Sequence, residues 1–228
     1  MFYFDSTFII VIIGTVICLI ASANVKMTYN KFNKYNGRSG ITASEAAKRI
    51  LRIGGVVDVA VVKTKGELTD HYDPRAGEIR LSENVSDSGS VAAIGVAAHE
   101  CGHAIQHEKN YFPLKIRSVI IPVVNIGSSL SWPLILIGAL FGLGNLVDIG
   151  IILFSTVLIF QLVTLPVEFN ASRRAMKILK ESGILMGDEL KGARKVLTAA
   201  ALTYVTSVIF SMLQLVRLLI LFGGRRRK

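Results

Sequence analysis

Four charge-free runs of apolar residues divide the chain: Ser6 to Val25, Ser118 to Val147, Ile149 to Val167 and Val196 to Val216, the last continuing past Arg217 to Phe222. A bilayer is crossed by about 20 apolar residues in a helix, so each run is long enough to span. The second holds Pro122, Asn125 and Pro133 and is too short for two spans. It predicts one helix preceded by an interfacial lead-in. Runs two and three then form a hairpin with Asp148 in its turn. Ala21-Ser22-Ala23 has the small residues of a signal-peptide cleavage site, but Asp5 stands where Lys or Arg would precede such a run. The first run therefore reads as an uncleaved anchor.

The polar stretch from Lys26 to Arg117 is the part of the chain able to fold in water. Thr42-Ala43-Ser44-Glu45 is a capping box opening a helix from Ala43 to Ile53, which Gly54-Gly55 ends. Val56 to Val62 is valine-rich and predicts a strand. Asp70 to Gly77 is a turn-rich link. Glu78-Ile79-Arg80-Leu81-Ser82 alternates polar and apolar, as a half-buried strand does. Ser86, Asp87 and Ser88 are caps for a helix from about Gly89 to Glu108.

Composition agrees with a membrane protein. Hydrophobic residues make up 51% of the chain and charged residues 18%, below the ~25% charged usual in soluble domains. Disorder and a collagen repeat are excluded, and Cys18 and Cys101 give no disulfide framework. The net charge of +10 reflects basic residues gathered at span ends, which points to the bilayer as partner rather than nucleic acid. Lys26, Lys31, Lys34 and Arg38 follow the first run. Lys109, Lys115 and Arg117 precede the second. Arg173, Arg174, Lys177, Lys180, Lys191, Arg194 and Lys195 lie between the third and fourth. All fall on one side, taken as cytoplasmic; Arg225, Arg226, Arg227 and Lys228 then face the other way.

His99-Glu100-Cys101-Gly102-His103 is an HExxH motif. Residues four apart lie on one helix face, so both imidazoles can grip one ion, and neutral imidazole suits zinc. Glu100 is about 100° around the helix, placed to act as general base without ligating. Cys101 points away and reads as packing. His107 lies a further turn along, about 12 Å above His99, beyond reach of the same ion. A catalytic zinc takes a third protein ligand. Glu168 follows the third run, and the hairpin returns it to the side that holds the histidines. Asp148, the rival, sits across the bilayer.

Asp70-His71-Tyr72-Asp73-Pro74, Ile79-Arg80-Leu81-Ser82, Val96 to Gln106 around the motif, and Pro166 to Arg174 together resemble the YugP-like family of bacterial membrane zinc metallopeptidases. The likeness runs from about Lys26 to the C-terminus. The family is similar to the HtpX and CAAX-type membrane gluzincins, which share HExxH and a later Glu-x-x-Ala-Asp. Here Ser172 replaces that final Asp, leaving Ser172 or Asn170 to orient a ligating histidine.

The resemblance implies proteolysis. The chain reads as an α-helical membrane protein with a small α+β zincin-like domain and about four transmembrane helices. Residues 1–25 form an anchor, 26–117 the catalytic domain, 118–167 a transmembrane hairpin, 168–195 the third-ligand helix and basic loop, and 196–228 the last span and basic tail. One Zn2+ per chain is expected on His99, His103 and Glu168, with Glu100 catalytic. His71, Tyr72 and Arg173 are candidate oxyanion donors, the first two having a structural turn as their alternative. Glu78, Ile79, Arg80 and Leu81 are expected to form a sheet edge that binds extended peptide, with Ile79 and Leu81 packed on the motif helix. The expected function is hydrolysis of membrane-associated or misfolded proteins at the membrane interface of the cell, the active site facing the cytoplasm. A non-catalytic zinc sensor or scaffold is the competing class.

Overall fold

The computed structural model describes residues 5–67 and 69–223. The helices are α1 (Phe8–Phe32), α2 (Ala43–Gly54), α3 (Glu83–Ser86), α4 (Val91–Glu108), α5 (Phe112–Leu140), α6 (Gly144–Glu181) and α7 (Gly187–Phe222); the strands are β1 (Ala60–Thr64), β2 (His71–Asp73) and β3 (Glu78–Ser82). Of these, α1, α5, α6 and α7 are long and apolar enough to cross a membrane. The protein is a helical membrane protein carrying a small α+β unit.

The chain forms two compact units. The polar one joins Ala23–Leu114 to Pro166–Leu202. Its sheet has the order β1-β3-β2, with β1 parallel and β2 antiparallel to β3. Ile79 and Leu81 are fully buried in a core with Ile50, Ile94, Ile105, Leu179 and Leu185. Thr42 caps α2 as expected, accepting from the Glu45 amide at 3.2 Å while Glu45 accepts from the Thr42 amide at 2.8 Å.

The first strand is shifted from Val56–Val62 to Ala60–Thr64. Gly55, at φ 76°, turns the chain out of α2, and the amides of Gly55 and Val56 donate back to the carbonyls of Arg52 and Leu51. This helix-ending motif consumes the Val56 amide and delays the strand. The expected turn-rich link contains β2. The long helix begins at Val91 rather than Gly89, because Ser90, and not Ser86, Asp87 or Ser88, accepts from the Ala93 amide at 3.1 Å.

The second unit is built from Lys115–Leu165 with the chain up to Ser22 and from Thr203. There α5 runs unbroken through Pro122 and Pro133, so no separate lead-in exists. The turn between α5 and α6 falls at residues 141–143, leaving Asp148 inside α6. Ile135, Val147, Ile151, Phe154 and Leu218 pack together. Arg217, the charge in the fourth apolar run, is paired with Asp5 at 3.2 Å, which relieves the cost of a lone ion among apolar groups. Arg225, Arg226, Arg227 and Lys228 lie outside the described residues, as do Met1 to Phe4.

Candidate metal centre

The N-terminal cap at Ser90 starts eighteen residues of regular helix in α4, which puts His99 and His103 one turn apart on one face. Their rings lie 4.8 Å apart, nearly perpendicular at 85°. Across from them α6 carries Glu168, only 2% exposed. Its Oε2 is 3.2 Å from His99 Nε2 and 3.5 Å from His103 Nε2. Among the described residues these three form the cluster able to hold a metal ion, with neither Asp148 nor His107 in it.

What orients the two rings lies behind them. His99 Nδ1 is 3.1 Å from Ser172 Oγ. His103 Nδ1 is 3.0 Å from Gln106 Oε1. The Gln106 amide group is fixed by its other contacts: its nitrogen donates to the Val167 carbonyl at 2.7 Å and to Asn170 Oδ1 at 3.0 Å. Gln106 Oε1 must therefore accept, and His103 Nδ1 donates to it. Arg174 in turn donates to Asn170 Oδ1 at 2.7 Å. When His103 is neutral its lone pair is therefore on Nε2, facing the carboxylate, and Ser172 can hold His99 in the same tautomer; without a metal, the Glu168 charge favours a proton on His103. Lone pairs of two imidazoles and a carboxylate converging at such distances repel unless a proton or a metal ion lies among them. A tetrahedral ion with bonds of about 2.0–2.1 Å separates its ligand atoms by roughly 3.3 Å; the two distances to Glu168, 3.2 and 3.5 Å, match that spacing, and all three ligand atoms lie within 4.8 Å of one another. The donor set fits zinc.

Glu100 stands beside this cluster. Burial, the largest influence, raises its pKa; the two nearby imidazoles oppose that shift and the Glu168 charge adds to it. Its Oε2 accepts the backbone N–H of Tyr72 at 3.0 Å. A carboxylate tied down by one amide keeps its second oxygen for other work.

The remaining sequence candidates are distributed differently. Glu78 to Leu81 is not an edge. β3 is the central strand, paired on both sides, because β2, unforeseen, occupies the side expected to be open. Glu78 and Arg80 pair with each other at 2.9 Å, and Arg80 also reaches Asp73 at 3.4 Å. His71 opens β2, and its Nδ1 lies 2.7 Å from the Thr69 carbonyl. The Tyr72 hydroxyl is 2.9 Å from His107 Nδ1, so Tyr72 meets Glu100 through its backbone and not its ring. Arg173 is exposed. Cys101 is buried with Sγ 3.5 Å from the Ala47 carbonyl, and burial pushes its thiol pKa well up.

Gln106 was missed by sequence reading. It is three residues beyond His103, hence on the same face, and that spacing is the signal that finds it; in the structure it is fully buried.

A membrane protein whose polar unit aligns two histidines of one helix with a glutamate of another has the form of a membrane metallopeptidase. Comparison with known proteins bears this out at the family level. The family described as "Putative neutral zinc metallopeptidase" matches residues 7–223, and the chain belongs to that family. It is 48% identical over 206 residues to "Putative membrane protease YugP" of Bacillus subtilis (strain 168), covering 90% of this chain and 92% of the relative. No solved structure matches.

Proposed function

We propose that the protein is a membrane-embedded zinc endopeptidase that cleaves membrane-associated or misfolded proteins at the membrane interface, with one Zn2+ per chain on His99, His103 and Glu168. The observation that carries this is the convergence of three lone-pair donors at ligand spacing beside a carboxylate that is not one of them. Zinc supplies Lewis acidity there, polarising a carbonyl and acidifying a water. Glu100 takes the proton of the attacking water and passes it to the leaving amine nitrogen. Burial favours proton uptake by this carboxylate, and a bound dication would oppose that shift.

Peptide is held at β2. The Tyr72 amide points away from β3 to reach Glu100, and in an antiparallel pair the Tyr72 carbonyl shares that outer edge. With that amide taken by Glu100, an extended chain can pair with the edge through the Tyr72 carbonyl, which would place its backbone next to Glu100.

The site faces the cytoplasm on this reading, supported by the basic residues that follow the first apolar run, precede the second and lie between the third and fourth. Cysteines placed at Ser39 and Ser182 should resist impermeant reagents in intact cells, and one at Asn145 should react. Labelling of Ser39 from outside reverses the orientation.

The test of the enzyme is Glu100→Gln in the full-length protein. The variant should keep its zinc and lose hydrolysis of unfolded protein by at least ~100-fold, the scale of general-base loss. Undiminished cleavage refutes the mechanism. Zinc bound to an unaltered chain that cleaves nothing favours the sensor or scaffold.

A further inference from the structure

A second feature of the polar unit lies apart from the metal cluster. The end of α1 and the beginning of α7 enclose an open groove of about 410 Å³. Three cations line it, Lys31 from α1 and Arg194 and Lys195 from α7. All three are exposed. The carboxylates nearest in sequence on α7 are taken elsewhere: Asp188 pairs with Lys191 at 2.9 Å and Glu189 with Arg38 at 3.6 Å. Among the described residues no carboxylate pairs with Lys31, Arg194 or Lys195; Lys31 Nζ lies 5.8 Å from the centre of the Phe32 ring. Like charges gathered without a counter-charge repel, and an anion between them removes the cost.

The rest of the lining is mixed: Asn24, Thr28 and Thr198 offer hydrogen-bonding groups, and Phe32, Ala199 and Leu202 are apolar. On both helices it straddles the change from polar to apolar sequence. The charge-free run of α1 ends at Val25, and that of α7 starts at Val196, directly after Arg194-Lys195. A ligand that fits has an anionic, hydrogen-bonding head joined to a hydrocarbon tail.

We propose that this groove is a binding site for an anionic glycerophospholipid. The phosphate lies among Lys31, Arg194 and Lys195, and an acyl chain follows Leu202 along the apolar part of α7. Basic pockets between membrane helices on the cytoplasmic side bind anionic head groups in this way. The site is independent of the peptidase reading, since it uses none of the residues assigned to metal or catalysis.

The full-length protein in neutral detergent is to be titrated with phosphatidylglycerol and, separately, with phosphatidylcholine, and bound lipid counted by native mass spectrometry. Each cation near an anionic head is worth roughly a fivefold change in binding. The unaltered protein should therefore prefer phosphatidylglycerol by on the order of a hundredfold. The triple variant Lys31→Gln, Arg194→Gln, Lys195→Gln should lose that preference. A control with the same charge loss, Lys65→Gln, Lys177→Gln, Lys180→Gln, alters exposed residues outside the groove and should keep it. Single Lys31→Gln and Lys195→Gln proteins should each lose roughly fivefold, which preserves the test if the triple variant does not accumulate. A groove variant that retains the preference, or a control that loses as much, overturns the proposal. Millimolar glycerol phosphate should leave the lipid bound. Displacement would mean that a soluble phosphoester, and not a lipid, is the ligand, and overturns it as well.

Discussion

Gly102 lies between Glu100 and His103 where α4 meets α6, and substituting it tests how closely the two helices must approach to make the metal site. A methyl group built on Gly102 would sit 2.5 Å from the Ala171 carbonyl oxygen, 3.0 Å from its carbon and 3.1 Å from its Cα. These are backbone atoms of α6 and cannot swing aside. A carbon–oxygen contact settles near 3.3 Å, so Gly102→Ala must separate the backbones by roughly 0.8 Å. In an exposed helix the change would favour the helix by about 1 kcal/mol; overpacking here costs about 1–3 kcal/mol, so the clash wins or nearly cancels. The greater effect falls on the metal. Glu168 and Ser172 ride on α6, and ligand distances tolerate errors of about 0.2 Å. Zinc affinity should fall by on the order of 100-fold, the upper end of what losing a ligand's supporting contact does. Gly95→Ala on the same helix is the control. Its methyl would meet Ala193 Cβ at 3.5 Å, an ordinary contact, and should stabilise α4 by about 0.5–1 kcal/mol. Competition with a chromophoric chelator measures affinity, and thermal melting in detergent measures stability. A Gly102→Ala protein that holds zinc within a few-fold of the unaltered chain refutes the requirement for close approach.

Ser172→Ala removes the partner of His99 Nδ1 and should weaken zinc by about 10–100-fold, read in the same competition; undiminished affinity means that Ser172 does not orient the ring. Burial raises the pKa of Glu100 in the metal-free protein, and a bound dication would pull it back down: its carboxyl should titrate above the ordinary glutamate ~4.3 in the apoprotein and lower once zinc is added, as difference infrared spectroscopy against Glu100→Gln will show. An apoprotein value at or below ~4.3 contradicts the burial argument. Cys101, fully buried with its thiol pKa raised, should resist maleimide in the folded protein and react after denaturation, as mass spectrometry of its peptide will show.

Much of the site was legible because helical spacing is unambiguous. His99, Glu100 and His103 are separated by one and four residues, and no other secondary structure gives that spacing the same meaning. Glu168 followed from topology, since a hairpin of two spans returns the chain to its starting side. The errors arose where local pattern underdetermines neighbours. Alternation from Glu78 to Ser82 shows a strand with one buried face but says nothing about what lies on its edges. The neighbour, β2, is only His71-Tyr72-Asp73, too short for a period and flanked by Asp70 and Pro74, residues that favour turns. Ser86, Asp87, Ser88 and Ser90 are all competent caps, and only the fold chooses Ser90. Pro122 and Pro133 break helices in water; in α5 they sit within a continuous helix, as prolines in membrane helices can. Gln106 carried no motif, because its role is to hold another side chain still.

The distribution of ligands over the chain has a consequence for biogenesis. His103 and Glu168 are 65 residues apart in sequence, with α5 and the apolar part of α6 between them. At synthesis rates of about 5–20 residues per second, the helix with both histidines precedes the glutamate by roughly 3–13 s. A nascent chain halted in that interval owns two ligands of three. The proposed chemistry therefore cannot begin until the third apolar segment has been made and Glu168 brought to the histidines. The order of the ligands along the chain thus sets the onset of the proposed activity after the third apolar segment, whatever the fate of the shorter nascent chain.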